Sequence, residues 1–308
     1  MKQNKTPYAN SLFEQPWWLD IVSPGQWKEI FQYDKSGNVC ARMVYVQYGN
    51  KIRMPVFTQN LGIWMRTDIK NNYGLMKDLY FNLFEQIENK NSLRMRLSPE
   101  NRYILPLKWM GFKFEPFFTY RITDLSNIDE IYAKINKTTR RHIRKAEKIV
   151  HIETTTNMEH LFQLLDKTYK NQNRKNPIPN QLIEKIVSYC DDSGNGQYME
   201  AVDEHGNLHS CAYFVYDENV FYYLIGGSDA EFRESGAQAL IMWEGIKLSA
   251  EKSRIFDFEG SMIEGIEYFF RQFGGVCTPY YEVRKLGFCR EVLSIMRPYI
   301  KKILKYKD

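Results

Sequence analysis

The positions of hydrophobic residues follow two rhythms along the chain, one typical of helices and one typical of strands. In residues 73–89 a leucine or isoleucine recurs at every fourth position, which predicts a helix with one apolar face. Residues 39–47 and 52–57 alternate between apolar and polar side chains, and this period of two predicts strands. The chain is therefore predicted to mix helices and strands, as an α/β protein does.

The second half of the chain shows the same two patterns. Three short alternating stretches, separated by turn residues, predict an antiparallel meander over residues 197–225. Helical periodicity predicts one long helix before the meander and several shorter helices around it. The predicted helices are 128–150, 158–170, 180–189, 237–252 and 263–273, and the last predicted strands are 254–258 and 279–284.

One combination of elements occurs twice. A strand, a short helix and an aromatic-rich strand follow one another in residues 92–122 and again in residues 254–284. Both helices stop at a glycine, Gly111 in the first copy and Gly274 in the second, and glycine is the usual residue at a left-handed helix end. We therefore expect one structural module to be present twice.

Length and composition are those of an ordinary globular protein. The chain has 308 residues, of which 44% are hydrophobic and 26% charged, which is enough for one large domain or two of ordinary size. We expect an N-terminal module at residues 1–126 and a C-terminal module at residues 127–308. The sequence shows neither a signal peptide nor an apolar run that could cross a bilayer, which predicts a cytoplasmic protein. Its five cysteines and five histidines lack the spacings of a zinc site, so no metal is expected.

Positive charge is concentrated in one segment. Residues 134–148 contain seven basic residues and one acid, a net charge of +6, while the whole chain carries +5. On a helix these basic residues lie opposite the apolar ones. Arginine can bind phosphate oxygens with two N–H groups, so Arg140, Arg141 and Arg144 are candidates for binding a nucleotide diphosphate, a lipid pyrophosphate or tRNA. The alternative is a solvated basic face without a ligand.

A glycine-containing bend precedes the predicted helix that begins at Ala237. Gly226 and Gly227 end the strand before it, and Arg233 and Gly236 lie just ahead of the helix. Free N–H groups at a helix N-terminus favour a phosphate, and glycine lets the backbone approach it closely. These five residues are the candidate site for a pyrophosphate, with an ordinary tight turn as the alternative.

Two carboxylates end the strand that follows this helix. Asp257 and Glu259 are two positions apart, so on a strand their side chains point to the same face. Either could accept a proton from an attacking amine, with Glu259 the first candidate and Asp257 the second. The alternative is that both pair with arginines such as Arg254 or Arg271. Motifs of the Gly-x-Ser-x-Gly, Walker and Gly-x-Gly-x-x-Gly types are missing from the sequence, which leaves hydrolase, P-loop and Rossmann functions without support.

Several loose motifs follow one another over most of the chain. They are Phe13-Glu-Gln-Pro-Trp17-Trp18, Met54-Pro-Val-Phe-Thr-Gln-Asn-Leu-Gly62, Arg140-Arg141-His-Ile-Arg144-Lys145-Ala146, Arg233-x-x-Gly236-Ala237, Asp257-Phe-Glu-Gly260-Ser261 and Gly265-Ile-x-x-Phe269-Phe-Arg271-x-Phe273-Gly274-Gly275. In their order and spacing the chain resembles the FemABX-like branch of the GNAT acyltransferase superfamily.

The resemblance implies two tandem GNAT-like modules, each a mixed, mostly antiparallel sheet flanked by helices. It also implies an enzyme that moves an acyl group from acyl-CoA or aminoacyl-tRNA onto an amine of a small molecule or a cell-envelope precursor. By this resemblance Arg233, Gly236 and Ala237 hold the pyrophosphate of the donor.

Further roles follow for an acyl transfer of this kind. Backbone N–H groups near Gly226 and Gly227 could polarise the acyl carbonyl. Tyr222, or its neighbour Tyr223, could protonate the leaving thiolate. Arg271, in the last motif, joins the three arginines of the basic segment as a candidate substrate-binding residue.

Two departures from the family pattern bear on the donor. Related aminoacyltransferases often have a lysine where this chain has Phe270, and the helical hairpin that some tRNA-using members carry is not apparent. Acyl-CoA, with acetyl-CoA first, is therefore the expected donor. An aminoacyl-tRNA-dependent transferase and a non-catalytic polyanion-binding module remain alternatives, and DNA is not an expected partner.

The C-terminal residues 297–308 combine five basic residues with an apolar face. Such a helix either packs on its own domain or lies on an anionic membrane. Membrane contact would suit a lipid-linked amine acceptor at the inner face of the membrane.

Overall fold

The computed structural model of the protein describes residues 5–87, 92–154, 158–171 and 175–286. The chain forms two compact units, one made of residues 5–116 with residues 280–286 and the other of residues 117–279. We call them the N-terminal unit and the C-terminal unit.

Helices and strands are interspersed along the described chain. The helices are α1 (Pro16–Val22), α2 (Thr67–Lys70), α3 (Tyr73–Glu85), α4 (Leu105–Trp109), α5 (Ile128–Lys134), α6 (Lys137–Ala146), α7 (Met158–Asn171), α8 (Asn180–Ser193), α9 (Ala237–Lys252) and α10 (Glu264–Arg271), with short 3₁₀ helices η1 (Leu12–Glu14) and η2 (Ala230–Ser235). The strands are β1 (Trp27–Tyr33), β2 (Val39–Tyr48), β3 (Lys51–Ile52), β4 (Ile63–Met65), β5 (Ser92–Arg96), β6 (Lys113–Ile122), β7 (Val150–Glu153), β8 (Gly196–Asp203), β9 (Leu208–Tyr216), β10 (Val220–Ser228), β11 (Ile255–Asp257) and β12 (Val276–Leu286).

The N-terminal unit has a sheet in the order β1-β2-β3-β5-β12, with β4 paired to β2. The second half of β12 enters this sheet and pairs antiparallel with β5. The apolar stripe that predicts α3 is confirmed, because Leu79 and Leu83 are buried in the core of this unit. Asn72 begins α3, since its side-chain oxygen accepts the N–H of Gly74 at 3.0 Å and of Leu75 at 3.1 Å.

The C-terminal unit has a sheet in the order β6-β11-β10-β9-β8-β7. The neighbours β10 and β11 are parallel and the other pairs are antiparallel. The helix α9 is apolar on most sides, and its residues Leu240, Ile241 and Ile246, among others, are buried in the core of the unit. Because α9 is buried and begins at Ala237, it holds the bend before Ala237 in place beside the end of β10.

The repeated combination predicted from the sequence is confirmed. β5, α4 and β6 follow one another in the first copy, and β11, α10 and β12 in the second. Gly111 and Gly274 both have left-handed backbones, with φ of 83° and 77°, as their helix-ending role requires. The predicted meander is also confirmed, since β8, β9 and β10 are consecutive antiparallel neighbours. The fold is the expected α/β arrangement of two modules with mixed, mostly antiparallel sheets.

The prediction of one helix over residues 128–150 is wrong. α5 ends at Lys134, Ile135 is extended, and α6 begins after Asn136. The side-chain oxygen of Asn136 accepts the N–H of Thr138 at 2.9 Å, and the Asn136 N–H donates to the carbonyl of Gln272 at 2.8 Å. The periodicity concealed this break because both helices turn their apolar residues toward the same core.

The compact units divide the chain at other positions than the predicted residue 126. The chain leaves the N-terminal unit after Pro116 and returns to it after Pro279, within β6 and within β12. The physical reason is the pairing of the second half of β12 with β5, which completes the N-terminal sheet. Chain order alone does not reveal such a return.

The described residues include neither a membrane-spanning helix nor a cluster of metal-binding side chains. Their helices include none with the length and apolar character needed to span a bilayer. Their His, Cys, Asp and Glu side chains include no group of three or more that could hold a metal ion.

Candidate active site

The strands β10 and β11 separate within the C-terminal unit. They are parallel neighbours only from Val220 to Tyr222, because β11 ends at Asp257. β10 continues to Ser228, and a bulge leaves Leu224 outside its ladder with β9. Crevices beyond the ends of parallel strands are common ligand sites in α/β folds.

A cavity of about 470 Å³ lies in this crevice, and we call it the apolar cavity. Residues 223–228 of β10 form one side of it, and residues 258–261, after β11, form another. Helical segments supply the remaining walls. The wall residues are Leu165, Thr168 and Tyr169 of α7 and Ile263, Ile266 and Phe269 in and before α10.

A second cavity of about 450 Å³ adjoins the first, and we call it the polar cavity. The two share Ser228, Gln238, Gly265 and Phe269. Polar and charged side chains, together with the bend before α9, line the second cavity. Its residues include Thr138, Thr139, His142, Asp229, Arg233, Gly236 and Ala237. The structure therefore brings three of the predicted pyrophosphate residues to the polar cavity, and Gly226, Gly227 and Glu259 to the apolar one.

Glu259 lines the apolar cavity in a backbone conformation that few non-glycine residues adopt. Its φ is 59°, in the left-handed region, and Gly260 follows with φ of 67°. The N–H of Glu259 donates to the carboxylate of Asp257 at 2.8 Å, which stabilises the turn. Strained residues of this kind are concentrated at functional sites, so the conformation supports Glu259 as the candidate base.

Asp257 does not reach either cavity. It is fully buried and accepts hydrogen bonds from the Thr119 hydroxyl at 2.6 Å and from Nε of Arg121 at 2.7 Å. The predicted same-face arrangement fails because the turn at Glu259 sends the two carboxylates in different directions. The arginine partner comes from β6 rather than from Arg254 or Arg271. We therefore assign Asp257 a structural role.

Tyr222 also lies away from the cavities. Its neighbour Tyr223 lies at the cavity, in the position that was expected for Tyr222. Tyr222 is buried, and burial holds its pKa well above the ordinary value for tyrosine. Tyr223 lines the apolar cavity, and its hydroxyl accepts a hydrogen bond from Gln238 at 3.1 Å. The alternation of side chains along β10 explains the exchange, since consecutive strand residues face opposite sides.

The glycines of the predicted phosphate site are needed for packing between elements. A Cβ at Gly227 would lie 2.8 Å from the carbonyl carbon of Leu164 in α7. Gly236 has φ of 82°, and a Cβ there would lie 2.5 Å from the carbonyl oxygen of His142 in α6. These contacts account for both glycines before any ligand is considered.

The N-terminus of α9 offers fewer free amides than the sequence suggested. The N–H of Ala237 donates to the Ser235 hydroxyl at 3.2 Å, and the N–H of Ala239 donates to the carbonyl of Gly236 at 3.0 Å. Arg233 is exposed at the edge of the polar cavity. A phosphate in this cavity would therefore depend on the guanidinium of Arg233 more than on a row of backbone amides.

The arginines of the basic segment lie on α6, outside the lining of both cavities. The guanidinium of Arg140 lies 6.0 Å from the centre of the Tyr132 ring, while Arg141 and Arg144 are exposed. Arg144 donates from Nε to the carbonyl of Arg140 at 3.3 Å. Lys145 of the same helix donates from Nζ to the carbonyl of Glu234.

Arg271 is likewise exposed and engaged with its own helix. Its Nε lies 3.7 Å from a carboxylate oxygen of Glu267, and its guanidinium is 4.9 Å from the centre of the Tyr268 ring. It does not line either cavity among the described residues. The geometry therefore does not bring Arg271 together with the arginines of α6.

Sequence reasoning missed an ion pair that fixes the end of β10. Lys167 of α7 donates to the carboxylate of Asp229, the buried residue just beyond β10. The hydrogen bond from Lys167 lowers the pKa of Asp229. The pairing joins residues far apart in the chain and leaves no pattern in the sequence, so only the fold reveals it.

The comparisons with known proteins agree with this geometry. Residues 133–269 match the family model described as "Acetyltransferase (GNAT) domain", and this range contains most residues of both cavities. No curated protein is significantly similar in sequence. Among solved structures, FemX is 13% identical with a TM-score of 0.64, and the alignment covers 88% of this chain and 91% of FemX.

Two further structures share the fold at low identity. The C-terminal domain of a putative lysylphosphatidylglycerol synthetase from Agrobacterium fabrum is 13% identical, with a TM-score of 0.56 and 88% of each chain covered. A tandem GNAT protein from the clavulanic acid biosynthesis pathway is 10% identical, with a TM-score of 0.53 and 86% of this chain and 84% of that one covered. Residues 133–269 therefore form a GNAT acyltransferase domain, and the chain shares the fold of FemX and of the tandem GNAT protein.

Proposed function

We propose that this protein is an N-acyltransferase that moves an acyl group from acyl-CoA onto an amine of a small molecule or a cell-envelope precursor. The observation that carries the proposal is the pair of adjoining cavities, of which the second has more polar and charged side chains in its lining. An acyl-CoA has a thioester end and a phosphate end joined by a narrow arm. The apolar cavity would take the first and the polar cavity the second, with the arm passing the residues that both cavities share.

The side chains of the apolar cavity suit a direct transfer. The amine nitrogen attacks the carbonyl carbon of the thioester, the C–S bond breaks and an amide bond forms. Glu259 takes the proton that the nitrogen releases. A backbone N–H near the bulge at Leu224, which lies outside the ladder with β9, is the candidate to polarise the carbonyl oxygen. Tyr223 accepts its hydrogen bond from Gln238, so its own O–H can donate a hydrogen bond to the leaving thiolate. Glu259 then releases its proton to solvent, and the thiolate takes one from solvent.

Gly265 gives the sharpest test of the donor assignment. It lines both cavities, and a Cβ there would meet open space, so a larger side chain can enter the shared opening without displacing other atoms. We expect Gly265→Leu to weaken acyl-CoA binding at least about tenfold, equivalent to about 1.4 kcal/mol, while the melting temperature is kept. Gly265→Ala is the matched control and should bind as the natural chain does. Unchanged binding by the leucine variant would contradict the assignment. Gly236 is unsuitable for this purpose, because a side chain there would push α6 away.

Glu259 is tested by an isosteric change. Glu259→Gln removes the base and keeps the shape, so kcat should fall by about a hundredfold or more while acyl-CoA still binds. The release of free thiol in the presence of a panel of amines measures the rate. A variant with undiminished turnover would exclude Glu259 as the base.

An aminoacyl-tRNA donor is the second candidate, and the exposed basic face of α6 favours it. Arg141 and Arg144 are free to reach solvent and could bind the phosphates of an RNA. Radiolabelled acyl-CoA and aminoacyl-tRNA offered in parallel separate the two donors. Arg141→Ala with Arg144→Ala should leave transfer from acyl-CoA unchanged and would abolish transfer only if an RNA is the donor.

A lipid-linked amine at the inner face of a membrane remains part of the proposal. The basic helix predicted at residues 297–308 lies outside the described residues. Sedimentation with anionic and with neutral vesicles, for the full chain and for a chain without these residues, tests the membrane contact. Equal sedimentation of the two chains would argue against it.

A further inference from the structure

We infer that the apolar cavity selects a donor whose acyl group is apolar and larger than acetyl. The inference rests on the proposed function and names the class of acyl group that the same site takes. It comes from the walls of the cavity rather than from the residues that act on the thioester.

Two helical segments turn apolar stripes toward the cavity. Ile263, Ile266 and Phe269 recur every third residue and therefore lie along one side of α10 and its N-cap. Leu165 and Tyr169 are four residues apart on α7 and share a face of that helix. The two stripes belong to the same cavity lining.

The protein itself covers these stripes only in part. Ile263 leaves 49% of its surface exposed, and Ile266 and Phe269 are half-buried. A volume of about 470 Å³ remains in the cavity that they line. Water molecules find few hydrogen-bond partners at such apolar surfaces, and apolar cavities bind apolar ligands readily. An apolar group is therefore the ligand that completes the packing here.

The position of the proposed chemistry identifies which part of the donor this group is. Glu259, Tyr223 and the bulge at Leu224 line the same cavity, so the thioester carbonyl would sit among them. Ser228 and Gln238, which both cavities share, are polar and suit the amide groups of the donor's arm. With the attacking amine placed beside Glu259, the apolar walls of α7 and α10 remain for the substituent on the carbonyl carbon, which is the acyl chain.

A cationic acyl group fits this cavity poorly. Glu259 is the acidic residue among the described residues that line it, and the proposed reaction already uses that carboxylate. The ammonium of an aminoacyl group would lose its hydration without gaining an acidic partner of its own. An acetyl group would leave most of the volume unfilled. An acyl chain of several carbons, whether straight, branched or aromatic, is both uncharged and large enough to fill the cavity.

A series of donors tests the inference directly. The affinities of acetyl-, butanoyl-, hexanoyl- and octanoyl-CoA for the full chain are measured by calorimetry, with CoA itself as the reference. Burying each added methylene should tighten binding about fourfold until the cavity is filled. An affinity that is flat along the series, or highest for acetyl-CoA, would overturn the inference and leave the proposed function standing. No binding of CoA or of any acyl-CoA would instead contradict the proposed function.

Two neighbouring residues supply a matched pair of variants. Ile263 lines the apolar cavity, whereas Met262 is similarly exposed, at 58%, and does not line it. Ile263→Ser should reduce the gain per methylene, and Met262→Ser should leave it unchanged. Both positions are exposed enough for folding to be retained, which the melting temperatures check. A gain that is the same in both variants would place the acyl chain elsewhere and overturn the inference.

Discussion

Replacing Asp257 with asparagine separates the structural role of this residue from the chemistry proposed for Glu259. Asp257 is fully buried, and the side chain of its partner Arg121 is only 6% exposed. The carboxylate accepts three hydrogen bonds, from the Thr119 hydroxyl, from Nε of Arg121 and from the N–H of Glu259. Asparagine keeps the shape of the side chain but removes its charge, so the guanidinium loses the negative charge that Asp257 supplies.

The cost of this change can be worked from the geometry. Removing one partner of a buried ion pair costs about 3–5 kcal/mol, because the remaining charge stays out of water. Loss of the Thr119 hydrogen bond alone, in Thr119→Val, should cost about 1 kcal/mol. The total stability of a domain is about 5–15 kcal/mol, so Asp257→Asn should shift the unfolding transition clearly.

Urea unfolding at pH 7, followed by circular dichroism, measures both variants, with Glu259→Gln as the third member of the set. We expect a large loss of stability in Asp257→Asn and a small one in Thr119→Val, while the main defect of Glu259→Gln should appear in kcat. A loss below about 1 kcal/mol in Asp257→Asn would refute the reasoning on the buried pair. The double change Arg121→Met with Asp257→Leu should recover part of the stability, because it removes both charges together.

Three further changes test other contacts. Gly227→Ala should destabilise the C-terminal unit by about 1–3 kcal/mol, because the new Cβ would meet the α7 backbone, whereas Gly265→Ala, which meets open space, should not; urea unfolding decides. Asn136→Ala should cost about 1 kcal/mol by removing the N-cap of α6, and Asn136→Asp should restore it. The hydrogen bond from Lys167 lowers the pKa of Asp229 in the folded chain, so this carboxylate stabilises the fold above its unfolded pKa and the contribution is lost as pH falls through the folded value. Lys167→Met should therefore make the free energy of unfolding fall less steeply as the pH drops below about 4. An unchanged dependence on pH would contradict the role given to the Lys167–Asp229 pair.

The fold was predictable where a pattern is local. The stripe of α3, the meander of β8 to β10 and the glycine stops at Gly111 and Gly274 each depend on residues that are near one another in the chain. The break at Asn136 was missed because hydrophobic periodicity carries across it, although an asparagine before Lys-Thr-Thr is itself an N-cap signal.

The candidate site was predictable in outline and not in its pairings. The bend before Ala237 and the turn at Glu259 both reach a cavity, as their residue types suggested. The partner of Asp257 lies 136 residues earlier in the chain, in β6, and no spacing rule relates the two. Tyr222 and Tyr223 could be told apart only once the faces of β10 were known. Side-chain partners across a sheet depend on register, which a single sequence does not reveal.

The return of β12 to β5 has a consequence for how the polypeptide matures on the ribosome. The edge of β5 has no β12 beside it until residues 280–286 have emerged, so the N-terminal unit, although translated first, cannot complete its sheet before the C-terminal unit has been made. Until then that edge is open to wrong pairing with other chains. A released chain truncated before Tyr280 should therefore need a chaperone, while one truncated after Leu286 should not.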